Sequence, residues 1–148
     1  ILNGDISAES RLLWQRNIVE RVQLVAPFLT YDHDPYIIVS GDGKLFWMHD
    51  AYTTSSRYPY SQPLDGRINY IRNAVKVITN AYDGTMTFYI ADATDPIIQT
   101  YAAIFPQLFR PMSEMPVDLL DNVRYPEDMF RAQAEIYRTY HMTDATEF

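Results

Sequence analysis

The 148-residue sequence is the length of one domain, and its 47% apolar and 21% charged residues exclude disorder throughout while supplying apolar surface for one core. Its 19 acids against 12 bases give a formal charge of −7, and the bases are spread singly, which excludes the clustered basic face that nucleic acid requires. Cysteine is absent, which removes disulfides, thiol catalysis and sulfur-rich zinc sites together without deciding a compartment.

No stretch reaches the roughly 18 consecutive apolar residues of a membrane span, and the N-terminus carries no signal-peptide pattern. The chain starts at Ile1 without a Met, so it is read as an excised piece or a processed product, and any anchor of the parent protein is expected outside these residues. Asp5 or Ser7 caps a predicted helix that continues to Ala26 before Pro27. Trp14, Ile18, Val22 and Val25 share one stripe of it, with Arg11, Arg16, Glu20, Arg21 and Gln23 turned outward. Pro27 to Pro35 is a break containing Asp32, His33 and Asp34.

Tyr36 to Val39 and Leu45 to Tyr52 flank Gly41-Asp42-Gly43, a hairpin signal because the glycines supply the positive φ that tight turns need. With Asp42 and Gly43 as the central turn residues, Tyr36 comes opposite His49, and His33 comes near Tyr52. The loop that follows is dense in tyrosine and hydroxyl groups. Tyr52, Arg57, Tyr58, Tyr60 and Gln62 combine flat apolar rings with polar tips, chemistry that suits an interface or a sugar-like ligand. The competing reading is that these rings pack beneath the loop and hold it down.

Ile68 to Tyr82 fits both a helical stripe and a strand alternation. Asp83-Gly84, followed by Thr85 to Ile90, favours a second hairpin, with Val77, Ala81, Met86, Phe88 and Ile90 on one face. Asp95-Pro96 opens a helix through Phe105 with Ile97, Tyr101, Ile104 and Phe105 as its apolar set. Leu108, Phe109 and Met112 fall in a proline-punctuated connection, and Pro116 to Asn122 predicts one short helix. Pro126, with Glu127 and Asp128 in the first turn, starts a final helix to His141 whose stripe is Met129 or Phe130, Gln133, Ile136, Tyr137 and Tyr140. The sum is an α+β fold: an antiparallel sheet of about four strands in two hairpins, packed with N-terminal and C-terminal helices in a single domain over residues 1–148.

There is no glycine-rich phosphate loop, nucleophile elbow, His-Glu-x-x-His pair or EF-hand spacing, so no cofactor is expected. The first hairpin can bring His33, His49 and Asp50 to one end of the sheet, beside Asp32 and Asp34, as candidate metal ligands. Asp32 with Asp34, or Asp92 with Asp95, are calcium candidates whose positions suit turns and caps better. Asp50 with Glu114 or Asp128 are the acid pairs a glycosidase would need, and sequence does not place them together. Ser55, Ser56, His49 and Asp50 have the residue types of a triad without its context. Arg57 and Arg124, beside Tyr58 and Tyr125, can anchor a carboxylate, stack on a ring or form structural ion pairs.

Ala26-Pro27-Phe28-Leu29, Asp34-Pro35-Tyr36, Asp50-Ala51-Tyr52-Thr53-Thr54-Ser55, Tyr58-Pro59-Tyr60-Ser61, Asn69-Tyr70-Ile71-Arg72-Asn73, Ala81-Tyr82-Asp83-Gly84, Phe105-Pro106, Met115-Pro116 and Arg124-Tyr125-Pro126-Glu127-Asp128 resemble, in this order, uncharacterised protein family 0182. The resemblance spans nearly the whole chain. It implies a large bacterial membrane protein with several N-terminal spans and a long extracytoplasmic part, of which this chain is a segment. The family carries no catalytic residues over, and Asn122 and Ala74 stand where it is expected to have His and Ser.

The reading is a non-catalytic extracytoplasmic module that packs against the rest of its parent or binds an envelope or cell-wall component. One alternative is a hydrolase or ligand-processing domain using the acids and tyrosines between Asp50 and Tyr60. The other is a small-ligand or metal sensor at the His33 and His49 end of the sheet.

Overall fold

In the computed structural model, residues 7–10, 14–63 and 66–140 are described. Helix α1 (Ile18–Val25) begins where the Asn17 side chain accepts the Val19 N–H at 2.9 Å, satisfying one of the orphan donors of the first turn. It is shorter than the sequence pattern implies. Gln15 has φ 56°, a left-handed conformation that interrupts a helix, and residues 1–6 and 11–13 lie outside the described residues. Val22 is the buried member of the predicted stripe, whereas Trp14 is exposed. Arg21 does not point outward: its guanidinium donates to the carbonyls of Trp14 at 3.0 Å and Gly84 at 2.7 Å, clipping α1 to the second hairpin.

The sheet has six strands: β1 (Thr30–Tyr31), β2 (Tyr36–Val39), β3 (Leu45–Ser55), β4 (Tyr70–Asn80), β5 (Met86–Ile90) and β6 (Phe109–Pro111). Their order is β1-β3-β4-β5-β6, with β2 also paired to β3 on the flank that β1 occupies. Both predicted hairpins are present, and β5–β6 is the parallel pair of a mixed sheet. The strands missing from the sequence reading are the short ones. β1 is cut from β2 by Asp32 to Pro35, and β6 ends in a proline that cannot donate to a ladder.

Both faces of the sheet are covered. Val22 of α1 and Ile98 of helix α2 (Pro96–Ile104) pack with Ala51, Val75, Val77 and Phe88 on one face. On the other, Met48, Ile78, Tyr89 and Ile38 meet Met115, which ends the 3-10 turn (Met112–Glu114) that follows β6, and Leu119 of helix α3 (Val117–Leu120). Full burial of a side chain such as Val22, Phe88 or Ile98 is worth about 1.5–3 kcal/mol relative to exposure. Asp95 caps α2 as predicted, accepting the N–H groups of Ile97 and Ile98, but the residue it sends into the core is Ile98, with Ile104 exposed.

The hairpin registers differ from the predicted ones. Tyr36 faces Met48, not His49, because Gly41-Asp42-Gly43 forms a three-residue loop closed by Ser40 N–H to Lys44 O at 2.8 Å, with Gly43 at φ 80°. In the second hairpin Val77 faces Phe88 across a four-residue loop closed by Asn80 N–H to Thr85 O at 2.9 Å. Helix α4 (Glu127–Tyr140) sends Met129 into the protein, while Phe130, Gln133, Ile136 and Tyr137 are exposed.

Candidate functional site

The middle of β3, the middle of β4, the break between β1 and β2 and the root of α4 bring together the buried Asp50, Lys76 and Asp32. Asp50 and Lys76 are direct cross-strand partners, and both are buried. Their side chains form an ion pair, which Asn73 Nδ2 supports by donating to Asp50 Oδ1 at 3.1 Å. A second proton of Lys76 goes to the Arg124 carbonyl at 3.2 Å. Asn73 reaches this pair because β4 carries a bulge: Ala51 faces Val75 but Thr53 faces Arg72, so Asn73 and Ala74 together stand opposite Tyr52.

Lys76 of this pair, with Asn73, lies at the floor of a cleft of about 630 Å³ between β4 and the start of α4. Ile71, Val123, Pro126 and Met129 give it apolar walls, and Arg72, Asp92, Arg124 and Gln133 stand around it. Arg124 is held by Tyr36 through both backbone and side chain. Its N–H donates to the Tyr36 hydroxyl at 3.0 Å, and its guanidinium carbon lies 4.6 Å over the centre of the Tyr36 ring.

Next to the cleft lies an acid corner. Asp32 is buried and accepts from the Tyr52 hydroxyl, from Asp34 N–H at 3.0 Å and from Asp128 N–H at 3.0 Å. His33 turns outward, with Nδ1 2.6 Å from Asp128 Oδ1 and 3.5 Å from Asp32 Oδ1, and Nε2 3.8 Å from Glu127 Oε2. The break between β1 and β2 is thereby fastened to the first turn of α4. Asp32, His33 and Asp128 each offer one ligand atom within 4.8 Å of the others, so among the described residues these three, rather than His33, His49 and Asp50, form a group with metal-ligand proximity.

The charges of these groups follow from their surroundings. Burial pushes the Asp50 carboxyl up, against the pull of Lys76 and Asn73. Burial also acts upward on Asp32, but the Tyr52 hydroxyl, the Asp34 and Asp128 N–H groups and His33 outweigh it and hold its carboxyl below the ordinary value. Burial lowers the His49 imidazole and keeps it neutral; its Nε2 donates to the Asp32 carbonyl at 2.7 Å, which leaves Nδ1 without a hydrogen bond. His49 therefore packs in the interior against Tyr31, at 5.3 Å between ring centres, on the side of β3 away from Asp50.

The model of Uncharacterised protein family (UPF0182) matches residues 1–148, the whole chain. The chain belongs to this family. It is 58% identical to a UPF0182 protein of Desulforamulus reducens and 57% identical to one of Cupriavidus necator, each alignment covering 100% of this chain and 16% of the relative. A UPF0182 protein of a Synechococcus species is 54% identical over 97% of the chain. The chain thus spans about a sixth of the length of the curated relatives it matches. No solved structure matches it. UPF0182 is a family of uncharacterised large membrane proteins, and this chain fits an extracytoplasmic segment of one. Among the described residues no helix is long and apolar enough to cross a membrane.

The predicted binding residues divide between two environments. Tyr52 is buried, with its hydroxyl on Asp32, and burial followed by that hydrogen bond pushes its ionisation far up. Arg57, Tyr58, Tyr60 and Gln62 lie at the surface. Tyr58 stacks on Tyr70 at 5.0 Å, and Tyr70 is tied by its hydroxyl to Asp95 and pushed up to about 12 by burial and that bond. Asn69 pins the loop, accepting Tyr58 N–H at 2.9 Å and donating to the carbonyls of Tyr58 at 2.7 Å and Ser61 at 3.2 Å. Tyr60 is wholly exposed at φ 60°.

The candidate acid pairs take separate roles: Asp50 is paired with Lys76, Asp128 with His33, and Glu114 with Arg110 at 3.7 Å on the surface. Asp92 and Asp95 serve a turn and a cap. Sequence reasoning passed over Lys76, Asn73, Arg72 and Gln133 as site residues. One signal was available: Lys76 is a charge inside the apolar run Ala74-Val75-Lys76-Val77-Ile78, a position that demands a buried counter-charge.

Proposed function

We propose that this segment is a non-catalytic extracytoplasmic module that docks against the remainder of its parent membrane protein through α4. The observation that carries this is the fading of burial along one stripe of the helix. Met129, Ala132 and Ile136 follow one another at helical spacing, and they are buried, half-buried and 47% exposed in turn. The helix overhangs the sheet with its apolar stripe continuing past the last residue it covers. The chain is 16% of the length of its relatives, so the parent has ample surface to cover that stripe. Cysteine labelling in the full-length protein tests it. Ile136→Cys is expected to react with a maleimide at least tenfold more slowly in the native protein than in urea; equal rates would overturn the docking.

A second surface supports the envelope-component reading. The pinned loop presents Arg57, Tyr58, Tyr60 and Gln62 together, flat rings with hydrogen-bonding tips. Soluble cell-wall fragments are expected to bind the full-length protein and to lose that binding in Tyr58→Ala with Tyr60→Ala, while the cooperative melt is kept and its midpoint falls only by the small loss of the Tyr58–Tyr70 stack. Retained binding would remove the loop from consideration.

A further inference from the structure

We propose that the cleft between β4 and the root of α4 binds a small organic oxyanion, a carboxylate or a phosphate ester, with Arg124 as its anchor. The first argument is charge. On a chain of formal charge −7, the described residues that line the cleft set Arg72, Lys76 and Arg124 against Asp92. Arg72 has Asp92 at 3.8 Å, and Lys76 is neutralised by Asp50. Among the described residues no carboxylate pairs with Arg124. Its guanidinium is nevertheless positioned, by stacking on a Tyr36 ring whose hydroxyl is fixed between Arg124 N–H at 3.0 Å and Met48 Sδ at 2.8 Å. A planar cation held in place without a counter-charge suits two-pronged recognition of a carboxylate or phosphate.

The second argument is an unspent donor at the floor. Lys76 is 4% exposed and carries three protons; Asp50 and the Arg124 carbonyl accept two. The third has no protein acceptor among the described residues, and Lys76 lines the cleft. Such a donor in a buried ammonium is costly to leave unmade. The third argument is shape. At about 630 Å³ the cleft has the size of a small-metabolite site, and Ile71, Val123 and Met129 give an apolar wall for the body of the ligand.

The test is calorimetric titration of the full-length protein with benzoate, phenyl phosphate and inorganic phosphate. Saturable one-to-one binding of benzoate or phenyl phosphate is expected, and the tighter of the two assigns the oxyanion. Arg124→Gln is expected to weaken it at least tenfold, Arg124→Lys to fall between, and Arg72→Gln to weaken it less, each with the melting temperature of the parent. No saturable binding of either organic probe overturns the proposal, as does wild-type affinity in Arg124→Gln. Inorganic phosphate binding as tightly as phenyl phosphate and unmoved by Arg124→Gln would mean an adventitious ion only, and would overturn it too.

Discussion

Tyr52 and Tyr60 lie eight positions apart on one continuous run of β3 and its loop, in neighbourhoods of similar composition, yet one is 1% exposed and the other wholly outside. Tyr52 stands in the strand with its hydroxyl on a buried carboxylate, at the corner where β1, β3 and α4 converge. Tyr60 stands on a loop held through the backbone by Asn69, with its own ring uninvolved. An aromatic residue next to hydroxyls and charges is thus not one kind of residue. Its role is set by whether the backbone around it is paired in the sheet or pinned from outside, and the interior of this corner is where charge rather than apolar area is decisive.

The contrast is broken most severely by attacking the charge beneath the corner. Lys76→Met leaves Asp50 buried without its ammonium and is expected to cost about 3–5 kcal/mol in denaturant melts. Adding Asp50→Leu removes the orphan and should recover most of that loss. If the single substitution costs under 1 kcal/mol, the pair is not carrying the interior.

Tyr52→Phe comes next. It removes one donor from a buried carboxylate, worth about 1.5–3 kcal/mol at neutral pH. The pH dependence has a definite sign. The Asp32 carboxyl is held below its ordinary value of 3.8 in the folded protein, so its contribution is complete above that value and is lost as the pH falls through the lower folded value. Part of that lowering comes from the Tyr52 hydroxyl, so wild type and Tyr52→Phe should differ most near pH 7 and converge on acidification below 3.8. Asp50, pushed up by burial, works in the opposite direction in both proteins and so drops out of the difference. A gap that widens with acid would contradict the role given to the hydroxyl.

What the sequence revealed of this corner depended on parity. Both hairpins were legible from Gly41-Asp42-Gly43 and Asp83-Gly84, and so were the cap at Asp95 and the helix start at Pro126. The second hairpin is displaced by two residues from its predicted register, which leaves Val77, Met86, Phe88 and Ile90 on the predicted face. The first is displaced by one, which exchanges His49 for Met48 opposite Tyr36 and moves the imidazole to the other side of β3. His49 then meets the Asp32 carbonyl in the interior, while the His33 ring turns outward to Asp128. The bulge at Asn73 has no turn residue to mark it, and the meeting of Asp32 with Asp128 spans 96 positions, a distance over which local pattern carries no information. The cleft was hidden for the same reason, since β4 and α4 meet only through the fold.

A smaller effect sharpens the comparison from the loop side. Tyr58 is half-exposed and its ring stacks on Tyr70, so Tyr58→Ala is expected to cost about 0.5–1.5 kcal/mol. A loss as large as that of Tyr52→Phe would place the loop in the interior network after all.

The smallest change is predicted at Tyr60. Its φ of 60° lies in the left-handed region, where a side chain with a Cβ is strained and glycine is not. Glycine also gains freedom in the unfolded chain, by about 0.4–1 kcal/mol, and this works against the relief of strain. The exposed ring adds no packing to the balance. Tyr60→Gly should therefore leave the midpoint of a denaturant melt within about 0.5 kcal/mol of wild type, the range of ordinary surface substitutions. A loss above 1 kcal/mol would mean that the Tyr60 ring is anchored and that the division between the two tyrosines is wrong. A neutral result leaves the ring unused by the fold, and a residue kept in a strained conformation without structural benefit is then best explained by what the loop meets outside this segment.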